Sequence, residues 1–311
     1  MPALESGEEE TLVGGQAVLE GVMMRSPHNY CVAVRKASGE IVREAKPLAK
    51  VSETYPIFRL PVFRGVGTLG QAMVLGMKAL RFSANAALED ADPGAKKQEL
   101  TSGMMALNIA VSLAFFIFLY KFVPLYLATA LGKAFPVLQG RIPFNLTDGV
   151  IRMAIFVAFL YLISLWKDIR RVFEYHGAEH RVVFNFESRL PVTVENAQTF
   201  PTFHPRCGTS FLLVVMLVSI GIYTLLPFDS FAFRFIGRVL LLPVIAGVSY
   251  ELIRYAAKHR GGLLATLTAP GLWMQRITTK PPTSDQTEVA IEALQHTMAL
   301  EEAQGGKMVI A

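Results

Sequence analysis

Two short segments hold the residues best suited to chemistry: Tyr175-His176-Gly177-Ala178-Glu179-His180 and, 24 residues after His180, His204-Pro205-Arg206-Cys207. Together they take three of the six histidines and one of the two cysteines. Imidazole and thiolate are the ligands that suit zinc-like ions, so their concentration here points to a metal site. On a helix, residues i and i+4 point about 40° apart, which lets His176 and His180 address one ion. Glu179 lies about 60° to the other side of His176, so the three side chains share an arc of roughly 100°. The order H-x-x-E-H is the reversed zincin pattern, in which two histidines bind zinc and the glutamate takes a proton from the attacking water. A third ligand is needed, and His204 and Cys207 are the best placed. Pro205 falls where a helix can start, and a helix N-terminus favours a thiolate. Glu251, at the end of an apolar run, is a further candidate, with Arg254 or Arg238 as competing partners. Glu187 and Glu195 share the loop and stay open as ligands.

These residues need a frame, and composition says what kind. Apolar residues make up 52% of the chain and charged ones only 18%, which is unlike a water-soluble domain. Residues 100–120 and 207–228 are apolar runs without a formal charge, each long enough for a ~30 Å hydrocarbon core. Residues 149–166, with Arg152 near one end, form a third candidate span. Residues 235–251, bracketed by Arg238 and Glu251, form a weaker fourth. The expected fold is therefore an α-helical integral membrane protein of about four transmembrane helices, with a small N-terminal cytoplasmic β-rich domain.

The N-terminal MPALESGEEE lacks a basic region followed by an apolar one, so no secretory signal is read there. Lys78, Arg81, Lys96 and Lys97 precede the first run. Lys167, Arg170, Arg171, Arg181, Arg189 and Arg206 lie between the second and third. Arg254, Lys258 and Arg260 follow the fourth, whereas the opposite loops carry mainly Lys133, Arg141 and Arg234. The positive-inside rule then puts both termini and the 167–206 loop in the cytoplasm, in a cytoplasmic (inner) membrane. The net charge of +5 is accounted for by this bias and by lipid contact, with no nucleic acid required. Cys31 and Cys207 would both sit in a reducing compartment, which argues against a disulfide.

Along the chain, residues 1–11 read as a disordered acidic lead and 12–62 as β-rich, with Ser38-Gly39 as a turn. Residues 63–99 read as an amphipathic or interfacial helix, lying on the membrane or against the bundle. Residues 100–260 form the bundle, and Lys167 to Phe184 can continue its second span as a helix, with Gly177 the weak point. If that span leaves the bilayer at Trp166, His176 sits roughly 15 Å further up a straight helix. A meeting with Cys207 therefore requires a bend, a raised third helix or a deeper second span. Residues 261–311 read as an interfacial segment, with Trp273 and Arg276, and a C-terminal helix over 284–303. The early glycines form no phosphate loop, and Cys31 reads as a small buried strand residue.

The strings Val13 to Arg25 (VGGQAVLEGVMMR), Tyr175 to His180, Val194 to Asn196, His204 to Phe211 (HPRCGTSF) and Pro270 to Ile277 (PGLWMQRI) resemble the bacterial YqhQ-like membrane proteins. The resemblance covers about residues 12–280. It implies a membrane protein of a family described only as predicted metal-dependent enzymes of unknown function, and it supplies no substrate. Carried over by motif, it points to His176, Glu179, His180, His204 and Cys207, and then to Gln16, Glu20, Arg25 and Asn196. Two functions are expected from the residues. One is a zinc-dependent membrane hydrolase acting on peptide or amide bonds, or on a lipid-linked substrate, with Glu179 as base and His176, His180 and His204 or Cys207 on the metal. The other is a non-enzymatic membrane scaffold or assembly factor stapled by structural zinc. Partners are the lipid bilayer and a membrane-associated protein.

Overall fold

The computed structural model describes residues 13–49, 51–91, 102–205, 207–227, 230–258 and 263–303. The acidic lead expected at 1–11 lies outside them. Four strands, β1 (Gly14–Val18), β2 (Gly21–Arg25), β3 (Asn29–Arg35) and β4 (Ile41–Pro47), form an antiparallel meander in the order β1-β2-β3-β4. The β1–β2 turn is only Leu19-Glu20, and Glu20 takes a left-handed φ of 50° to close it.

Helices α1 (Val51–Thr54) and α2 (Phe63–Ala91) follow the sheet. Then come α3 (Ser102–Ile117) and α4 (Val123–Ala134), joined by a π-helical turn at Phe118–Phe122. After them come α5 (Arg141–Ser164), α6 (Lys167–Glu187), α7 (Val194–Gln198), α8 (Gly208–Leu225), α9 (Phe231–Leu240), α10 (Leu242–Lys258), α11 (Leu263–Thr278) and α12 (Ser284–Ala303).

The sheet is buried on both faces. Val22, Met24 and Ala33 pack with Tyr175, Ala178 and Val182 of α6 and with Val289, Ala290 and Leu294 of α12. Val18, Met23, Val32 and Val34 pack with Leu75, Ala79 and Ala86 of α2. This is why β2 reads as a continuous apolar run, since both sides of its pleat meet other apolar surface. Helix α2 thus packs between the sheet and the bundle. The C-terminal helix α12 is tied to the turn before β3: buried Glu301 accepts hydrogen bonds from Ser26 Oγ (2.6 Å) and Asn29 Nδ2 (2.8 Å) and lies 2.6 Å from His28 Nδ1.

Among the described residues, three stretches are long and apolar enough to cross a membrane: Leu107–Ala134, Arg141–Ser164 and Gly208–Leu225. A fourth results if α9 and α10, bent by 52° at their junction, count as one broken span. They answer to the runs at 100–120, 149–166, 207–228 and 235–251. Leu107, Val111, Leu113, Val150 and Leu162 are exposed on them, a surface that lipid would cover. The second span does not run on as one helix. Trp166 adopts an extended conformation (φ −77°, ψ 133°) between α5 and α6, so α6 starts afresh and lies against the sheet. That break removes the 15 Å offset that a straight helix would impose.

Candidate metal centre

Helix α6 carries the donors because its sequence divides into two faces. Tyr175, Ala178 and Val182 are buried against the sheet and α12, and one turn of the same helix brings His176 and His180 together, their ring centroids 4.4 Å apart. Cys207 caps the N-terminus of α8, and its Sγ lies 3.3 Å from His176 Nε2 and 3.2 Å from Thr209 Oγ1. The ligand atoms of His176, His180 and Cys207 all fall within 4.8 Å of one another.

The orientation of the rings is fixed from behind. His176 Nδ1 bonds the Thr278 carbonyl at 2.8 Å, and His180 Nδ1 bonds the Thr202 carbonyl at 2.5 Å. A carbonyl can only accept, so both Nδ1 atoms carry the proton and both Nε2 atoms keep their lone pairs. Burial pushes the His180 pKa down, the hydrogen bond with Cys207 opposing it, which favours the neutral, ligating form. The N-terminus of α8 and the Thr209 hydroxyl flank the Cys207 Sγ.

His204 is placed next to this triad and outside it. Its ring lies 5.6 Å from that of His180 and 4.4 Å from Phe184, and its Nε2 is 3.5 Å from Glu187 Oε2. Its main chain is gripped by Gln275, whose Oε1 accepts from the His204 N–H (2.7 Å) and whose Nε2 donates to its carbonyl (2.8 Å). Burial pushes the His204 pKa down to about 4. Of the two third-ligand candidates, Cys207 joins the histidine pair. Glu251 is elsewhere: it pairs with Arg64 on α2 and accepts the Val62 N–H. Arg238 is engaged with Asp148 instead. Glu195 lies on α7, away from the cluster.

Glu179 faces the cavity from the sheet side. It is buried, and its carboxylate accepts the Gly15 N–H of β1. Burial raises its pKa, with His176 and then His204 opposing. A β-carbon on Gly15 would sit 2.8 Å from Glu179 Cγ and 2.8 Å from the Met23 carbonyl oxygen, so glycine permits the close approach. A cavity of about 280 Å³ joins the triad, Glu179 and His204 to Gln16 and Arg25 of the sheet. Burial lowers the Arg25 pKa, and Tyr250 and Glu179 oppose it. Glu20 and Asn196, the other residues named by resemblance, point elsewhere: Glu20 pairs with Arg171, and Asn196 Nδ2 donates to the Pro191 carbonyl at 2.8 Å. The carbonyls of Thr278 and Thr202 had no signal in the sequence, because backbone acceptors are the same at every position.

Fold and site together define a helical protein with several membrane-capable spans, a small sheet, and a largely buried His-His-Cys cluster under that sheet. The chain belongs to the family described as protein of unknown function (DUF1385), whose model matches residues 60–300. It is 36% identical over 297 residues to the uncharacterized protein YqhQ of Bacillus subtilis (strain 168), covering 93% of this chain and 92% of that one. No solved structure matches it.

Proposed function

We propose that this protein is a metal-dependent membrane hydrolase, zinc being the ion, with His176, His180 and Cys207 as its ligands and Glu179 as general base. The observation that carries the reading is the pair of imidazoles locked by backbone carbonyls so that both Nε2 lone pairs meet one thiol. Carbonyl partners behind ligating histidines are a recurrent feature of metal sites. Three protein ligands leave a fourth position open, which is the catalytic pattern. A divalent ion there would supply Lewis-acid polarisation of a carbonyl or phosphoryl oxygen.

The chain's own residues do the rest. Glu179, held by the Gly15 N–H, would take and return the proton. Arg25, in the same cavity, would bind an anionic group of the substrate, a bidentate match for carboxylate or phosphate. Peptide or amide bonds are the favoured substrates, with lipid-linked ones next, because the cavity lies where the sheet meets the bundle. The charge bias puts this face and both termini in the cytoplasm. A topology reporter fused after residue 311 should read cytoplasmic.

The test is metal analysis of the full-length protein purified without chelators, with Glu179→Gln beside it. Stoichiometric zinc in both, with hydroxamate binding and with hydrolysis of a peptide library lost only in the variant, is the expected result. A wild type without stoichiometric transition metal sinks the reading. The scaffold alternative keeps one supporting observation, that the cluster ties α6 to α8. It requires a closed site, so zinc-loaded protein should then bind no hydroxamate.

A further inference from the structure

A second cluster of ionisable groups lies at the end of the bundle away from the metal triad. Cys207 caps α8 at one end and Tyr223 sits 16 residues along the same helix, about 24 Å away. Around Tyr223 are Lys121, Arg152 and Arg238, all buried, with Asp148 fully buried among them. Arg152 and Arg238 both pair with Asp148. Arg152 also donates to Ser219 Oγ at 2.5 Å, Arg238 to Asn145 Oδ1 at 2.9 Å, and Lys121 to Tyr223 Oη at 3.0 Å. The Tyr223 ring lies 5.4 Å from Lys121 Nζ, 5.2 Å from Arg152 Cζ and 4.9 Å from Arg238 Cζ.

Lys121 falls on the π-helical turn at Phe118–Phe122. Such single-turn insertions change the facing of a helix and recur at functional sites. Among the described residues, three basic side chains therefore surround one carboxylate inside apolar helices. Hydrogen bonds and an aromatic face only partly compensate such an excess, and ionisable groups in membrane helices as a rule mark binding or transport sites.

The cluster is reachable. A cleft of about 20 Å³ leads to Arg238 past Arg141, Asn145, Tyr223 and Arg234. That is room for one or two water-sized atoms, so the oxygens of a tetrahedral anion could enter while the rest of the molecule stays outside the cleft. Arg141 is the exposed first residue of the 24-residue helix α5, so its guanidinium and the helix N-terminus favour negative charge at the same mouth. Arg234 stands over the Phe144 ring at 4.3 Å.

We propose that this cleft binds a phosphate-class anion, either the headgroup of an anionic lipid or free phosphate, with its oxygens directed to Arg238 and Arg141. The site is independent of the metal centre and would work in a protein whose metal reading failed.

The full-length protein in neutral detergent should show a saturable rise in Tm with phosphatidylglycerol, with inorganic phosphate, or with both, and none with phosphatidylcholine. A rise with the lipid alone assigns the headgroup, and a rise with phosphate assigns the phosphate moiety itself. Arg141→Gln, at an exposed position, should weaken that response about tenfold, the loss of one charge-assisted contact. Arg254→Gln, on α10, should not. Arg238→Gln is a poor sole test because Arg238 is part of the buried network. The proposal is overturned if neither anion gives a saturable response, if phosphatidylcholine matches phosphatidylglycerol, or if Arg141→Gln binds like wild type.

Discussion

Replacing Gly177 by alanine should damage the proposed metal centre although Gly177 offers no ligand. Helix propensity alone argues the other way, because Ala in place of Gly inside a helix stabilises by about 1 kcal/mol. The environment reverses the sign. Segment 278–280 runs along α6: the Lys280 N–H donates to the Phe173 carbonyl at 2.9 Å, and the Thr278 carbonyl accepts from His176 Nδ1 at 2.8 Å. Gly177 sits where the two backbones touch. An added β-carbon would collide with the Lys280 carbonyl oxygen and lie 3.2 Å from both Lys280 C and Thr202 Cγ2.

The obstacle is main chain, which cannot rotate aside, so the segments must part. Overpacking of this kind costs about 1–3 kcal/mol. A backbone obstacle belongs at the upper end of that range, so after the helix gain a net loss of up to about 2 kcal/mol remains. Parting also stretches the Thr278–His176 bond that sets the ring, and loss of such a support typically costs about 10–100-fold in metal affinity. The assay is thermal unfolding of the chelator-stripped protein, followed by zinc affinity from competition with a chromophoric chelator. A Gly177→Ala protein with wild-type or higher Tm would refute the steric argument. One with lowered Tm but unchanged zinc affinity would refute the link to His176.

Single Ala substitutions should rank the ligands: His176, His180 and Cys207 lose zinc severely, His204 loses about 10–100-fold as a neighbour, and Glu251→Gln keeps full zinc because its partner is Arg64. A His204→Ala loss as deep as that of Cys207→Ala would place His204 on the metal. Burial pushes the Glu301 carboxyl up, but hydrogen bonds from Ser26, His28 and Asn29 outweigh it and hold its pKa below the usual 4.5. Its stabilising contribution is therefore complete above 4.5 and lost as pH falls through the lower folded value. Hydrogen exchange in α12 should accelerate over that acid window, and Glu301→Gln should flatten the pH dependence. An unchanged profile in the variant would assign the effect to other groups.

Much of this was legible in the sequence, for physical reasons that also mark the limits. The apolar runs are visible because a lipid-spanning helix must be apolar over its full length. The His176–His180 pair is visible because helical periodicity is local. The break at Trp166 is not, since no Gly or Pro announces it and the residues on both sides read as helix. Cys207 and His204 were equal candidates, because three positions along the chain decide nothing about which side chain turns inward at a helix start. Glu251 found Arg64, 187 residues away, where sequence proximity suggested Arg254 or Arg238. The sheet's buried second face was hidden too, since its covering helix α2 reads as an interfacial helix.

The sheet is what turns a ligand cluster into a site. The family model matches from residue 60 onward, which leaves out the whole sheet, yet the alignment with the Bacillus subtilis protein covers 93% of this chain and so takes in most of it. Without β1 the Glu179 carboxylate loses the Gly15 N–H. Without β2 the cavity loses Arg25 and Met23. What would then remain is three ligands at a helix junction, enough for a staple that ties α6 to α8. A staple has no need of the buried carboxylate and the arginine that the sheet brings to the same cavity. Their presence beside the triad is the physical reason to favour chemistry over scaffolding at this centre.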